Sequence, residues 1–378
     1  MAHRPLRQLA GLFLRLGLTA FGGPAAHIAM MRDEVVERRC WLTDSEFLDL
    51  LGATNLIPGP NSTEMAIHLG YRHGRLPGLL LAGTCFILPA TLIVGGMAWV
   101  YVRFGDMPQV GWVMYGVGPI IIAIVLQALW KLGTTAIKDP LTLALGILST
   151  VLSLAGWNEL GLLALGGIVM VGTKLKRPSL AVGILTTVCA STAALAQTAA
   201  MAIPFTLTRL TFFFLKVGTI LFGSGYVLLA FLRADLVERW NWLTDEQLID
   251  VVTVGQVTPG PVFTTATFVG YLLDGWNGAT LATVGIFLPG FLFVACSQPL
   301  IPRLRASPVT SAVLDGVVVA SLGLMAAVTW NLGRSTLVDM PTVGLAAITT
   351  IALFTLRPNS TWLVLAGAAA GWLWHAGA

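Results

Sequence analysis

The sequence predicts an all-α polytopic membrane protein with two inverted-topology repeats, each of about six membrane segments. Three observations predict this fold class. The 378 residues have a mean hydropathy of +0.82 and only 11% charged residues, which is too apolar for a water-soluble chain of this length. Several apolar runs reach the roughly 20 residues that a helix needs to cross a bilayer. A pattern rich in glycine and proline in the first half recurs in the second half.

The recurring pattern is a set of short motifs in a fixed order. The first copy contains Phe21-Gly22-Gly23-Pro24, Trp41-Leu42-Thr43-Asp44, Pro58-Gly59-Pro60 and Gly70-Tyr71. The second copy contains Phe222-Gly223-Ser224-Gly225, Trp242-Leu243-Thr244-Asp245, Pro259-Gly260-Pro261 and Gly270-Tyr271. The near-constant spacing indicates an internal duplication, which is typical of transporters built from repeats.

Hydrophobic windows set the predicted domain boundaries. In the first half they fall near 9–30, 47–69, 77–102, 109–130, 140–156 and 159–173. Their counterparts fall near 206–231, 248–271, 277–299, 309–332, 340–356 and 361–376. The window near 179–203 has no counterpart and would reverse the second half relative to the first. We predict an N-terminal repeat over 1–175, a linking transmembrane segment over 176–204 and a C-terminal repeat over 205–378.

The distribution of positive charge predicts the orientation in the membrane. The net charge of +4 arises from Lys and Arg residues scattered through short loops, which does not suggest a nucleic-acid partner. Cytoplasmic loops of membrane proteins carry an excess of Lys and Arg. With the N-terminus inside, the inside loops hold more than twice as many cations as the outside loops. We therefore predict a cytoplasmic N-terminus.

Glycine and proline interrupt four of the predicted windows in two matched pairs. Such interruptions are tolerated in lipid only where they are buried in protein or line a cavity. The free N–H groups and positive dipole end of a broken helix suit an anion. The Phe-Gly and Pro-Gly-Pro motifs of both copies are therefore predicted to frame one anion site. Tight helix packing without ligand contact is the alternative.

Two cations lie within apolar runs at equivalent places in the two copies. Arg15 and Lys216 each precede a Phe-Gly motif. A cation in a membrane segment is costly and is usually paired, directed to the interface or functional. Both residues lie near the starts of their helices, so interfacial snorkelling is the alternative. Because both copies keep a cation, we predict that these residues attract the anion.

A carboxylate and an imidazole follow the first Pro-Gly-Pro motif. Glu64 and His68 are four residues apart and so share one helix face. At membrane depth they are candidates for a proton relay. Pairing of either side chain with Arg72, a further helical turn along, is the alternative. The second copy has no carboxylate at the corresponding place, so the two halves are not predicted to contribute equally.

The predicted substrate-binding residues are the cations, amides, glycines and prolines of these motifs with two neighbours. They are Arg15, Phe21, Gly22, Gly23, Pro24, Asn55, Pro58, Gly59, Pro60, Lys216, Gly223, Ser224, Gln256, Pro259, Gly260 and Pro261. The matched amides could donate to oxyanion oxygens, and structural capping explains them equally well. No metal-ligand spacing, cofactor motif or nucleophile motif is visible, so we predict no cofactor, no metal site and no enzymatic activity.

The charged segment 32–49 is predicted to be an amphipathic helix on the membrane surface. Its charges alternate with hydrophobic residues, and a helix cap is expected at Thr43-Asp44. A role as a gate is the alternative. The corresponding segment of the second copy keeps part of this pattern, namely Arg233, Asp235, Glu238, Arg239, Asp245 and Asp250.

The ordered motifs resemble those of the chromate ion transporter family in its two-domain form. The resemblance rests on Thr19-Ala20-Phe21-Gly22-Gly23-Pro24, Trp41-Leu42-Thr43, Pro58-Gly59-Pro60-Asn61-Ser62-Thr63-Glu64 and Gly70-Tyr71-Arg72, with their second copy. It covers essentially the whole chain. It implies an inner-membrane carrier that exports chromate under the electrochemical gradient and confers resistance, with sulfate as an isosteric competitor.

Other functions remain open at this point. An anion channel could use the same helix breaks as a filter, and a membrane enzyme or scaffold is a further alternative. The sequence is compatible with chromate or sulfate as the substrate and with transport in either direction. A proton is a candidate coupling ion. The Pro-Gly-Pro segments are either re-entrant or spanning, and the protein is either a monomer or a homodimer.

Overall fold

A computed structural model describes residues 6–20, 23–54, 57–104, 108–174, 204–221, 227–297, 307–356, 358 and 360–376. These residues form helices and no strand, which confirms the all-α prediction. The linking helix predicted near 179–203 lies outside the described residues.

The two halves contain corresponding helices in the same order, and the second half has an additional short 3₁₀-helix. The first half contains α1 (Leu6–Thr19), α2 (Gly23–Arg32), a π-helix (Asp33–Arg38), α3 (Asp44–Thr54), α4 (Asn61–Phe104), α5 (Pro108–Ala136), α6 (Pro140–Leu154) and α7 (Glu159–Lys174). The second half contains α8 (Leu207–Ile220), α9 (Leu228–Phe231), a π-helix (Leu232–Arg239), α10 (Asp245–Val257), a 3₁₀-helix (Val262–Thr264), α11 (Thr265–Ser297), α12 (Pro308–Thr336), α13 (Met340–Thr355) and α14 (Ser360–Ala376).

Helix length and apolarity are those of a polytopic membrane protein. Four described segments are long and apolar enough to cross a bilayer, namely Asn61–Phe104, Gly111–Ala136, Val262–Ser297 and Val309–Thr336. Helices α6, α7 and α13 are apolar but shorter. Among the described residues, α1 ends at Thr19 and α8 at Ile220, before the Phe-Gly motifs, and the Pro-Gly-Pro motifs lie between α3 and α4 and after α10. The four predicted helix breaks are therefore present.

Helix α4 is a hairpin of two helical arms. Its 44 residues would extend about 66 Å as one straight helix, more than twice the hydrocarbon thickness of a bilayer. The backbone leaves helical geometry at Gly74 and Arg75. A Cβ on Gly70 would lie 2.3 Å from the carbonyl oxygen of Gly78, so the two arms touch beside the turn. We call residues 61–73 the short arm of α4 and residues 76–104 its long arm.

Helix α11 repeats this hairpin. Its backbone leaves helical geometry at Asp274 and Gly275, and Gly275 has a φ of 54°. A Cβ on Gly270 would lie 2.2 Å from the carbonyl oxygen of Gly278. The same close glycine pair therefore closes both turns. Neither Pro-Gly-Pro motif is followed by one straight membrane helix.

The outer helices of the two repeats interleave. Helix α5 packs against α13 and α14 of the second repeat, and α12 packs against α6 and α7 of the first. A Cβ on Gly116 would lie 2.0 Å from the carbonyl oxygen of Gly367, and a Cβ on Gly316 would lie 2.0 Å from that of Gly166. Equivalent positions of the two repeats therefore make reciprocal contacts.

The charged segment forms a π-helix followed by α3 rather than one amphipathic helix. Arg32 bonds Asp44 across the connection at 2.5 Å. In the second repeat Arg233 bonds Asp245 at 2.9 Å. The expected cap is present, because Thr43 and Glu46 exchange main-chain and side-chain hydrogen bonds in a capping box. Matched ion pairs therefore fix the path from the π-helix into α3 and α10.

Candidate functional site

The two Pro-Gly-Pro loops are each bonded to the opposite repeat. The N–H of Gly59 donates to the carbonyl oxygen of Leu221 at 2.7 Å, and the N–H of Gly260 donates to that of Ala20 at 2.9 Å. Ala20 and Leu221 immediately precede the two Phe-Gly motifs. The four helix breaks are therefore held together in two cross-repeat pairs.

Glycine is required at the centre of both loops. Gly59 has a φ of 139° and Gly260 a φ of 92°, values that residues with a Cβ rarely adopt. A Cβ on Gly59 would lie 2.4 Å from Oε1 of Glu64, and a Cβ on Gly260 would lie 2.7 Å from the Cβ of Ala90. The close approach of the loops to their neighbours thus depends on the missing side chains.

Helix ends are directed into the loops from both sides. Helix α4 begins at Asn61, directly after Pro60, and α10 ends at Val257, before Pro259. The N–H groups of Thr63 and Glu64 bond the carbonyl oxygen of Pro60 at 2.8 and 3.0 Å, which closes the first turn of α4. A helix start carries a partial positive charge. The first Pro-Gly-Pro loop, which leads into the start of α4, therefore presents the polarity that an anion needs.

The predicted binding residues divide into two groups. Eleven are described: Arg15 on α1 and Lys216 on α8, Gly23 and Pro24 at the start of α2, the prolines and glycines of both Pro-Gly-Pro loops, and Gln256 in the last turn of α10. Residues Phe21, Gly22, Asn55, Gly223 and Ser224 lie outside the described residues. The N–H groups of Gly59 and Gly260, predicted as anion donors, here have carbonyl acceptors in the opposite repeat.

The two predicted cations are paired with carboxylates of the π-helices. Arg15 lies 2.5 Å from Glu34, and Lys216 forms an ion pair with Asp235 at the equivalent position. Burial raises the pKa of Glu34, but its bonds to Arg15 and Arg39 outweigh this effect and lower the pKa overall. The side chains of Arg15 and Lys216 remain 50% and 33% exposed. Each cation therefore has a carboxylate partner and is still partly accessible.

Glu64 and His68 lie on the short arm of α4, and both side chains are fully buried. Neither carboxyl oxygen of Glu64 has a hydrogen-bond partner among the described residues. Its Cγ lies 3.9 Å from the position of a Cβ on Gly290 of the opposite repeat. Arg72 bonds Glu46 at 2.9 Å instead, so the alternative in which Arg72 neutralises Glu64 does not describe this structure.

Sequence reasoning missed a buried imidazole in α2. Nε2 of His27 lies 3.0 Å from the carbonyl oxygen of Ala20, and Nδ1 lies 3.3 Å from the hydroxyl of Ser62. The residue equivalent to His27 in the second repeat is Leu228. This departure from the repeat was the signal that could have identified it.

A cross-repeat bond between Tyr101 and Asp250 was also missed. The hydroxyl of Tyr101, on the long arm of α4, donates to Oδ2 of Asp250 at 2.5 Å. Asp250 lies on α10 and is only 8% exposed. A second buried carboxyl group therefore lies at the contact between the repeats, and its phenol partner is far away in the sequence.

The chain is similar to known proteins over both of its halves. The chromate transporter family model matches residues 7–173 and again residues 208–372. A chromate transport protein of Cupriavidus metallidurans is 35% identical over 96% of this chain and 92% of its own length. One of Pseudomonas aeruginosa is 32% identical over 97% and 92%, and a probable one of Synechococcus elongatus is 31% identical over 91% and 89%. No solved structure matches. With matches over both halves, this chain belongs to the chromate transporter family.

Proposed function

We propose that this protein is a secondary transporter that moves chromate across the inner membrane. Its N-terminus lies in the cytoplasm, and its direction is efflux, which gives resistance to chromate. Support comes from the relatives that are named chromate transport proteins and from the excess of Lys and Arg in the loops assigned to the cytoplasm.

The anion site lies between the four helix breaks. Chromate is a tetrahedral dianion, and the N–H groups of the breaks at Gly22, Gly23, Gly59, Gly223 and Gly260 are its proposed donors. The observation that carries this proposal is the pair of cross-repeat bonds from Gly59 and Gly260 to carbonyl oxygens. An oxyanion oxygen is the same kind of acceptor, so it can take the place of a carbonyl.

Transport follows from movement of one repeat against the other. We take the repeats to be inverted, and the reciprocal contacts of α5 and α12 are consistent with their two-fold relation. The loop bonds from Gly59 and Gly260 join the two repeats during this movement. The site would then open alternately to either side of the membrane while its four breaks stay together.

The function is tested by flux in proteoliposomes. Radiolabelled chromate and sulfate are presented under imposed pH and voltage gradients, with empty vesicles as the control. A carrier gives uptake that is accelerated by unlabelled substrate on the opposite side, whereas a channel gives no such acceleration. Faster sulfate than chromate flux would favour the alternative in which sulfate or another oxyanion is the substrate. Absence of flux for both ions would contradict the proposal.

Neutralising both cations is expected to weaken oxyanion binding. In the variant with Arg15→Met and Lys216→Met, the loss of two nearby positive charges should raise the dissociation constant for chromate about tenfold or more. Binding of radiolabelled chromate to purified protein measures this constant.

A matched variant separates the attraction of Arg15 for the substrate from its ion pair with Glu34. Removing Arg15 also takes a partner from Glu34, which is 5% exposed and costly to leave charged. The double variant Arg15→Met, Glu34→Gln removes both charges and should recover thermal stability without recovering affinity. If it recovers both, Arg15 serves only Glu34 and does not belong to the anion site.

A further inference from the structure

His27 connects the two helix breaks of the first repeat. Its side chain is 1% exposed, and its ring packs edge-on against Phe86 with centroids 5.7 Å apart. A carbonyl oxygen only accepts hydrogen bonds, so Nε2 carries the hydrogen and donates to Ala20. In the neutral ring, Nδ1 then accepts from the hydroxyl of Ser62. The ring therefore ties the end of α1 to the start of α4.

The carbonyl oxygen of Ala20 accepts two hydrogen bonds. One comes from the N–H of Gly260 at 2.9 Å and the other from His27 at 3.0 Å. The equivalent carbonyl of Leu221 accepts from the N–H of Gly59, but the residue in the place of His27 is Leu228. A leucine side chain has no donor. The backbone thus holds both loops in the same way, while among the described residues a side-chain donor supports the carbonyl of Ala20 and not that of Leu221.

This asymmetry affects the cost of releasing each loop N–H. A buried carbonyl that loses its donor carries a substantial free-energy penalty. If the N–H of Gly260 turns to another acceptor, the carbonyl of Ala20 keeps its bond from His27. If the N–H of Gly59 turns away, the side chain of Leu228, at the place of His27, has no donor to replace it. Release of Gly260 is therefore the less costly of the two.

We propose that His27 is a positioning residue of the anion site, which lets the N–H of Gly260 transfer from Ala20 to the oxyanion. The N–H of Gly59 leaves Leu221 less readily, so it contributes less to anion binding than that of Gly260 and serves mainly as a link between the repeats. The inference rests on the proposed function. On this proposal, one Pro-Gly-Pro loop mainly binds the anion and the other mainly holds the repeats together. The two Pro-Gly-Pro sequences are too alike to show this difference.

Three substitutions at His27 test the proposal. The terminal N–H of His27→Gln reaches about as far as Nε2 and should preserve oxyanion affinity. The shorter side chain of His27→Asn should not reach Ala20, and His27→Leu has no donor. For these two, we expect a half-saturation constant for chromate about tenfold higher, with the maximal transport rate changed much less. Binding of radiolabelled chromate and sulfate to purified protein, flux in proteoliposomes and the unfolding temperature are measured together.

A matched control uses a histidine outside the site. His375 on α14 bonds the carbonyl oxygen of Gly371 at 3.0 Å, so His375→Leu removes a similar bond and should leave affinity unchanged. Equal affinity of the Gln and Asn variants would overturn the proposal, as would unchanged affinity in a folded His27→Leu protein. If His27→Leu does not fold, the Gln and Asn pair still decides. Failure of the proposed function looks different, because the unaltered protein would then neither bind nor move either oxyanion.

Discussion

Gly59→Ala and Gly260→Ala are each expected to abolish chromate transport. Both glycines have positive φ, at 139° and 92°, and the added methyl group would lie 2.4 Å from Glu64 or 2.7 Å from Ala90. The strain at one such residue is roughly 1–2 kcal/mol before any clash. The chain would relieve it by moving the loop away from the carbonyl of the opposite repeat. Initial rates of chromate flux in proteoliposomes, at matched protein content, measure the loss.

A third glycine with positive φ is the control that separates backbone strain from the loss of the loop bonds. Gly156, in the connection between α6 and α7, has a φ of 83°, but a Cβ there would meet nothing within 4 Å. Gly156→Ala should therefore lower the unfolding temperature slightly and leave transport near the wild-type rate. Wild-type flux in Gly59→Ala or Gly260→Ala would show that the loop bonds are not needed for transport.

Glu64→Gln is expected to remove the dependence of chromate flux on an imposed pH gradient. The carboxyl group is fully buried, and both of its oxygens lack hydrogen-bond partners among the described residues. Such a group is costly to hold as an anion, and protonation removes that cost. Glutamine has nearly the same shape but does not take up a proton. The variant should still bind chromate and exchange it across the membrane at zero pH gradient.

The control for Glu64 is Glu46, a carboxylate that is partly exposed and has an ion-pair partner. Glu46 is partly exposed and bonds Arg72, and its hydrogen bonds from Thr43 and Arg72 lower its pKa. Glu46→Gln makes the same chemical change and should keep the response to pH. Flux is measured with the voltage clamped by potassium and valinomycin, so that only the proton gradient varies. A full pH response in Glu64→Gln would exclude Glu64 as the proton site.

His68 is expected to act with Glu64 rather than replace it. It lies one helical turn along the short arm of α4 and is equally buried. His68→Gln should slow flux driven by the pH gradient, because a relay loses one of its two members. Exchange of chromate at zero gradient should change less. An unaltered pH response would remove His68 from the proton path and leave Glu64 as the single candidate.

The local features of the fold could be predicted from sequence because their causes are local. Apolar runs specify membrane helices wherever they occur, and glycine or proline interrupts a helix at its own position. The breaks at Pro58-Gly59-Pro60 and Pro259-Gly260-Pro261 are present for this reason. The turn at Gly74–Arg75 was less visible, because Arg75 there has a φ of 50° that residues with a Cβ rarely adopt.

The partners of the candidate residues could not be predicted in the same way. Arg15 and Lys216 were recognised as matched cations, but their partners Glu34 and Asp235 lie beyond a helix break on a π-helix. Glu64 was recognised as a candidate for a proton relay at membrane depth. That Arg72 pairs with Glu46 and not with Glu64 depended on where the short arm of α4 packs. Each ion pair is a balance of distance and burial, and neither quantity is contained in sequence spacing.

The sequence by itself determined that this is a helical membrane protein, that it is duplicated and that each copy has two broken helices. Hydropathy and backbone preference act within one segment, so a linear reading is sufficient for them. The tertiary structure alone decided that the loops bond across the repeats, that α5 and α12 interleave with the opposite repeat, and that His27 supports only one of two equivalent carbonyls. The cross-repeat contacts join residues far apart in the chain, and His27 reaches Ala20 across the break between α1 and α2, so only the packing of the helices brings these atoms within bonding distance.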